Sequence, residues 1–329
     1  MKLGSLNLKN NLILAPLQNV TTGPYRRFCR HFFEIGLVVV PMLYTKRLVK
    51  SPKSIEHDLL KIEEERPISV QLIGSDPDSL KKAIEYLESY EFDVLDLNAG
   101  CPSKRAIRSK EGGYLLKDLK QLEQLINIGI KYSSRPVSLK TRIGFEHSDN
   151  MDNLAELINN SGLDFITIHA RTVNSRFFES TLNLEALRKF KEMINKPLIG
   201  NGDINNPKSA KIFIDYTNVD ALMIGRGCIG YPEIFYHIYK YFKKGIEYSH
   251  DNSIKLMREY TNLYEKYIDE FLNGTKLNYS HEDFKLVELK RNAIWLTKNI
   301  KNSTSIRRDL SNSKNLGQLK EVLQKINEN

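Results

Sequence analysis

Cys101, Lys140, His169 and several amides stand at or just beyond the ends of short apolar runs, where together they could bind an anion and move a proton. Cys101 lies in Asn98-Ala99-Gly100-Cys101-Pro102, directly after such a run. Free thiols have a pKa of about 8.5 and are mostly protonated at neutral pH. Such a group can therefore donate a proton as well as act as a nucleophile. A buried ammonium such as that of Lys140 is costly unless an anion faces it, and no acid at a neighbouring run end pairs with it. Its partner is expected to be an anionic ligand. Two further runs end in Asn201-Gly202-Asp203 and Gly225-Arg226-Gly227. Glycine allows close backbone approach, and Arg226 can hold a phosphate through two donors.

The elements that must position these residues are short and rich in β-branched side chains. They span residues 12–15, 37–40, 68–72, 94–98, 137–142, 165–169, 197–201 and 221–225. Roughly 20 to 40 residues separate successive runs, which leaves room for a crossover helix. Amphipathic stretches at 77–90, 113–132, 151–161, 184–194 and 207–216 fill several of these intervals. The pattern predicts a parallel (β/α)8 TIM barrel. The competing doubly wound open sheet lacks its GxGxxG after the first strand. In a barrel strand alternate residues face the interior. That puts Ser69 and Gln71 inside on strand three, and Asp96 and Asn98 on strand four. Ser138, Lys140 and Arg142 share one face of strand five, and His169 and Asn201 close strands six and seven. Active sites of this fold lie at the carboxyl ends of the strands, and phosphates often bind in the loops after strands seven and eight. A negatively charged ligand such as a reduced flavin would explain Lys140.

No run is apolar enough for a membrane span, and the first ten residues carry no secretory pattern. Cys29, Cys101 and Cys228 lie too far apart for a zinc site or a disulfide framework. A reducing, cytoplasmic setting without a metal is expected. The net charge of +9 favours a polyanionic partner. It gathers in two places. The stretch after Cys101 carries Lys104, Arg105, Arg108 and Lys110. From Lys285 to Lys320 nine bases stand against two acids, a net of +7. Strand signals stop after Pro232, and residues 254–271, 284–298 and 316–326 read as helices, with turn residues at Asn273-Gly274 and over 311–315. Residues 1–240 are expected to form the catalytic barrel and 241–329 a helical domain.

The ordered motifs resemble those of the tRNA-dihydrouridine synthase family from Leu14 to about Phe235. They are Ala15-Pro16 with Arg27-Phe28, Gln71-Leu72-Ile73-Gly74, Asp96 through Pro102, Gly112-Gly113-Tyr114-Leu115-Leu116, Lys140-Thr141-Arg142-Ile143-Gly144, His169-Ala170-Arg171-Thr172, Asn201-Gly202-Asp203-Ile204 and Ile224-Gly225-Arg226-Gly227. The resemblance implies an FMN-binding barrel and a helical C-terminal domain that grips tRNA. It implies that NADPH reduces FMN, that hydride passes from the flavin N5 to C6 of a uracil, and that Cys101 protonates C5. Pro16, Leu17, Gln71, Lys140, His169, Asn201, Gly202, Asp203, Gly225 and Arg226 would bind the flavin. Asn98, Arg142 and Arg171 would meet the uracil or order the site. Lys104, Arg105, Arg291, Arg307 and Arg308 would meet the tRNA, with the protein acting as a monomer. A flavin barrel acting on free pyrimidines, like dihydroorotate dehydrogenase, is the rival, and the two basic segments weigh against it. The sequence departs from the family at Leu17, where Met is usual, at Ala170, where Gly is common, and over residues 178–183, which lack the usual Gly and Trp. Its C-terminal Lys290-Arg291-Asn292, Trp295 and Arg307-Arg308 echo the bacterial pattern loosely.

Overall fold

The computed structural model describes residues 1–148, 150–176, 181–247, 253–273, 277 and 280–328. Eight parallel strands close a barrel: β1 Leu12–Leu14, β2 Leu37–Val39, β3 Ile68–Ile73, β4 Val94–Ala99, β5 Val137–Arg142, β6 Phe165–His169, β7 Leu198–Asn201 and β8 Ala221–Ile224. Each strand pairs with the next, and β8 returns to β1 with Leu222 beside Leu12 and Ile224 beside Leu14, which closes the ring. After Pro41-Met42, β2 resumes as Leu43–Tyr44 alongside Leu72 and Ile73.

Strand parity divides the barrel into two levels. Ile13, Leu37, Val39, Val94, Phe165, Ile199 and Met223 form one apolar cluster that Leu3 and Leu8 of the N-terminal segment join. Further along the same inward-facing rows come Ser69, Gln71, Asp96, Ser138, Thr167, His169 and Asn201, all buried and polar. The barrel thus has an apolar floor and a polar mouth. The alternate residues, such as Leu12, Leu14, Leu95, Leu97, Ile166 and Ile168, pack outward in a second cluster with the helices.

The helices start where short polar side chains satisfy their first amides. Asp76 caps Pro77–Leu87, Asn183 caps Leu184–Met193 and Asn206 caps Pro207–Thr217. The stretch expected as one helix over 113–132 is two elements. A 3-10 segment Gly112–Lys117 ends at Asp118, whose carboxylate accepts from the Gln121 amide at 3.0 Å and starts a new helix, Leu119–Tyr132.

Beyond β8 the chain is helical: Ile234–Lys244, Ser253–Leu272, His281–Leu296, Ser303–Asn312 and Leu316–Glu328. Gly274 of the expected turn lies outside the described residues. The helix Ser303–Asn312 was not expected, because its residues are mostly polar and only Leu310 is buried. The helix Ser253–Leu272 docks on the first barrel helix, Gly23–Phe32, where Phe28 meets Tyr260 and Tyr264 edge-on at 5.7 and 5.5 Å. The apolar cluster runs without a break from the barrel's outer layer into the C-terminal helices. Among the described residues no helix is long and apolar enough to cross a membrane.

Candidate active site at the mouth of the barrel

The polar rows converge above the floor. Asp96 anchors them, receiving hydrogen bonds from Gln71 Nε2 and Ser138 Oγ, each at 2.6 Å. Burial raises its carboxyl pKa, against the pull of those two donors and of Lys140. With Nε2 committed to Asp96, Gln71 presents its carbonyl upward to Asn98 Nδ2 at 2.8 Å. Asn98 in turn accepts from the Gly100 and Cys101 amides at 3.1 and 3.0 Å. One amide side chain therefore fixes the turn that presents the cysteine. The thiol is half-buried and donates to Ser103 Oγ at 3.4 Å, while Cys29 and Cys228 are fully buried and do not line the cleft.

Lys140 reaches Asn201 Oδ1 at 3.4 Å, and Asn201 Nδ2 is held by the Met223 carbonyl at 2.7 Å. Burial, with Arg142 beside it, pushes the Lys140 ammonium down to about 8, and Asp96 opposes that shift. Arg142 is buried and donates to the carbonyls of Gly100, Thr172 and Arg176 at 2.8–2.9 Å, tying the turn before Cys101 to the loop after β6. His169 is 7 % exposed, and its imidazole pKa lies well below the usual value. Burial is the first cause, and the cations of Arg142, Lys140, Arg171 and Arg226 add to it. The ring is thus neutral at physiological pH. It can exchange hydrogen bonds with a ligand without adding charge.

Asp203 organises the opposite wall. Its carboxylate pairs with the fully buried Arg171 and, at 2.7 Å, with Arg226 Nη2. Arg226 is thereby held beside the Gly225 backbone, half-exposed at the rim. Arg171 does not line the cleft but acts through Asp203 and through Thr181 Oγ1, which it meets at 3.1 Å. Phe178, Glu179 and Ser180 of the divergent stretch lie outside the described residues.

All ten residues expected to hold the flavin line a single cleft, together with Asn98, Cys101 and Arg142. Ala15, Leu17 and Met42 give it apolar walls. The donor set suits a flat ring that takes negative charge and carries a phosphate. Cations and amides lie inside, apolar side chains flank them, and Arg226 stands with two glycine turns at the edge. Sequence reasoning missed Met42 and Gln18 as lining residues. Met42 sits just past the second apolar run, and that position was the one available signal.

The expected polyanion contacts divide. Lys104 and Arg105 are exposed on the short helix Lys104–Arg108 beside the cleft, and Arg105 stacks over the Tyr44 ring at 3.9 Å. On the C-terminal helices much of the basic cluster is engaged within the fold. Arg291 pairs with the buried Glu288, Arg307 donates to Thr297 Oγ1 at 2.9 Å, and Lys290 binds backbone carbonyls of Ser311 and Ser313. Lys285 and Lys320 pair with Asp269 and Glu265. Lys298, Lys301, Arg308 and Lys314 are exposed. The solvated cluster is therefore smaller than a charge count suggests. Among the described residues no three His, Cys, Asp or Glu side chains gather in a way that could hold a metal ion.

Comparison with known proteins identifies the family. The sequence model of the family described as Dihydrouridine synthase (Dus) matches residues 13–329. The chain is 36% identical over 236 residues to tRNA-dihydrouridine synthase B of Pasteurella multocida, covering 71% of this chain and 70% of that one. It is 32% identical over 293 residues to the protein of the same name from Vibrio parahaemolyticus, covering 88% and 90%. In structure it resembles morphinone reductase, with a TM-score of 0.52 at 14% identity over 78% of this chain and 91% of that one, a likeness of fold alone. The chain belongs to the dihydrouridine synthase family and is a flavin-dependent oxidoreductase on a (β/α)8 barrel with a helical C-terminal domain.

Proposed function

We propose that this chain is a cytoplasmic, monomeric tRNA-dihydrouridine synthase that reduces the C5=C6 bond of specific uridines, with FMN as its flavin and NADPH as the reductant. The observation that carries the reading is the half-buried Cys101 thiol at the lip of a cleft lined by Gln71, Lys140, His169 and Asn201. When bound, FMN supplies the hydride for C6 of the uracil. The chain supplies the rest. Lys140 sets a positive charge against the ligand, and His169 offers a neutral hydrogen-bonding ring. Arg226, oriented by Asp203, holds the phosphate beside the Gly202 and Gly225 backbones. Asn98 aims the Cys101 turn, and Cys101 Sγ holds the proton destined for C5. A base can reach this depth only by leaving its stack.

The test is direct. The purified protein should be yellow, release FMN on denaturation, and form dihydrouridine in unmodified tRNA when given NADPH. A colourless protein that ignores added FMN, or one that turns over free orotate or uracil and leaves tRNA unchanged, would overturn the proposal.

Residues 241–329 are proposed to grip the tRNA, with the Lys104–Arg108 helix as a second contact beside the cleft. Each phosphate neutralised by a basic side chain adds about 0.7–0.9 to the log–log slope of affinity against salt. Changing Lys298, Lys301, Arg308 and Lys314 together to Gln should weaken tRNA binding and flatten that slope, with thermal unfolding unchanged. Gel-shift titrations at several salt concentrations measure both. An unchanged slope would mean that these side chains only solvate helix faces.

A further inference from the structure

We infer that Glu288 on the helix His281–Leu296 is a positioning residue for the flavin cleft, acting through Thr22 on the loop that carries Pro16 and Leu17. The inference rests on the flavin reading above. Glu288 is 2 % exposed. Its carboxylate accepts from Tyr264 Oη at 2.9 Å and Asn292 Nδ2 at 3.1 Å, pairs with Arg291, and accepts from Thr22 Oγ1 at 2.6 Å. A buried carboxylate is tolerated only when paired and hydrogen-bonded. Three of these partners belong to the C-terminal helices themselves, and the fourth, Thr22, belongs to the barrel.

Thr22 occupies the N-cap of Gly23–Phe32, where a threonine hydroxyl ordinarily accepts from the first turn of its own helix. It makes no such bond here. Its hydroxyl is turned outward to Glu288, so the barrel forgoes a local cap for a contact with the helical domain. The link from Thr22 to the cleft is short and stiff. The buried Thr21 hydroxyl accepts from the Leu17 amide at 2.9 Å and donates to the Leu17 carbonyl at 3.2 Å. That carbonyl also accepts from the Val20 and Thr21 amides at 3.0 and 3.1 Å. A displacement of Thr22 therefore moves Leu17, a wall of the cleft. The same helix braces the other wall. Trp295 packs so closely on Gly230, at φ 71°, that a Cβ there would overlap the Trp295 carbonyl oxygen. Gly230 lies three residues beyond Gly227 of the proposed phosphate turn.

Thr22→Val removes the hydroxyl and keeps the shape, and Thr22→Ser keeps the hydroxyl. Thr22 does not line the cleft. If the loop holds its cleft-ready form only a tenth of the time in Thr22→Val, the dissociation constant for FMN rises about tenfold. Thr22→Ser should bind FMN as the wild type does. In the ligand-free proteins, amides of residues 17–22 should exchange faster in Thr22→Val than in wild type, and Thr22→Ser should restore them. Unchanged exchange in 17–22 overturns the inference, and so does a lowered melting temperature with unchanged FMN affinity, which marks a merely structural bond. A wild-type protein that binds no FMN sinks the flavin reading instead, and the exchange measurement, which needs no ligand, then decides whether Glu288 governs the loop. Should Thr22→Val fail to fold, Thr22→Ala carries the same expectations.

Discussion

Cys101→Ala should retain its flavin and the oxidation of NADPH while dihydrouridine formation falls by about 10²–10⁴-fold, the usual cost of losing a positioned proton donor. The separation of effects follows from how the turn is built. Asn98 Oδ1 holds it through the backbone amides of Gly100 and Cys101, and Arg142 Nε holds the Gly100 carbonyl at 2.9 Å. Neither contact uses the thiol. Removing the thiol also costs only its contact with Ser103 Oγ at 3.4 Å. Flavin spectra and thermal unfolding should therefore match the wild type, and the deficit should appear in the transfer to tRNA. Single-turnover reduction of tRNA by the prereduced enzyme isolates that step. Product formed at close to the wild-type rate would mean that the proton for C5 comes from another group.

The mouth of the barrel was legible because strand periodicity is rigid. Once 94–98 and 137–142 are read as strands, Asp96, Asn98, Ser138, Lys140 and Arg142 must point inward, and only the barrel mouth has room for their charge. The glycine turns at Gly202 and Gly225 were legible for the same reason, since each follows a strand end. Met42 was not, because an apolar side chain after a strand looks like core until the break at Pro41 is visible. The C-terminal charges were misleading for a different reason. A sequence counts cations but does not show their partners. Lys320 looks unpaired until Glu265 is found 2.7 Å away. Arg291 and Glu288 stand one helical turn apart, a spacing visible in the sequence. What buries Glu288 is a close approach to Thr22, 266 residues distant, and no local pattern encodes it. The continuous apolar cluster between the barrel's outer layer and the C-terminal helices was not legible either, because Tyr260 and Tyr264 face the barrel's own Phe28 from more than 200 residues away.

Lys140→Met should lower flavin affinity by about 10- to 100-fold at neutral pH, the loss expected when a charge-assisted hydrogen bond is removed. It should also abolish a pH dependence that the wild type shows. In the ligand-free protein burial and Arg142 push the Lys140 ammonium from 10.5 down to about 8. The folded chain holds this proton less tightly than the unfolded chain does. Its stability should therefore rise as pH climbs from about 8 toward 10.5, and the methionine variant should lack that rise. Binding runs the other way. A ligand that takes negative charge prefers the ammonium form, so above about 8 it must recapture a proton from solution and its affinity falls. The fall should be steepest for the reduced flavin, which carries the charge. The methionine has no proton to recapture, so its curve should stay flat over the same range, and the rate of flavin reduction should drop with the affinity. Gln71 and Ser138 still hold Asp96 from either side in the variant, which keeps the strands in register. Flavin titrations across that range, paired with thermal unfolding of the ligand-free proteins, measure both trends. If affinity, reduction rate and pH profile all match the wild type, Lys140 does not face the flavin, and Arg142 becomes the cation to test in its place.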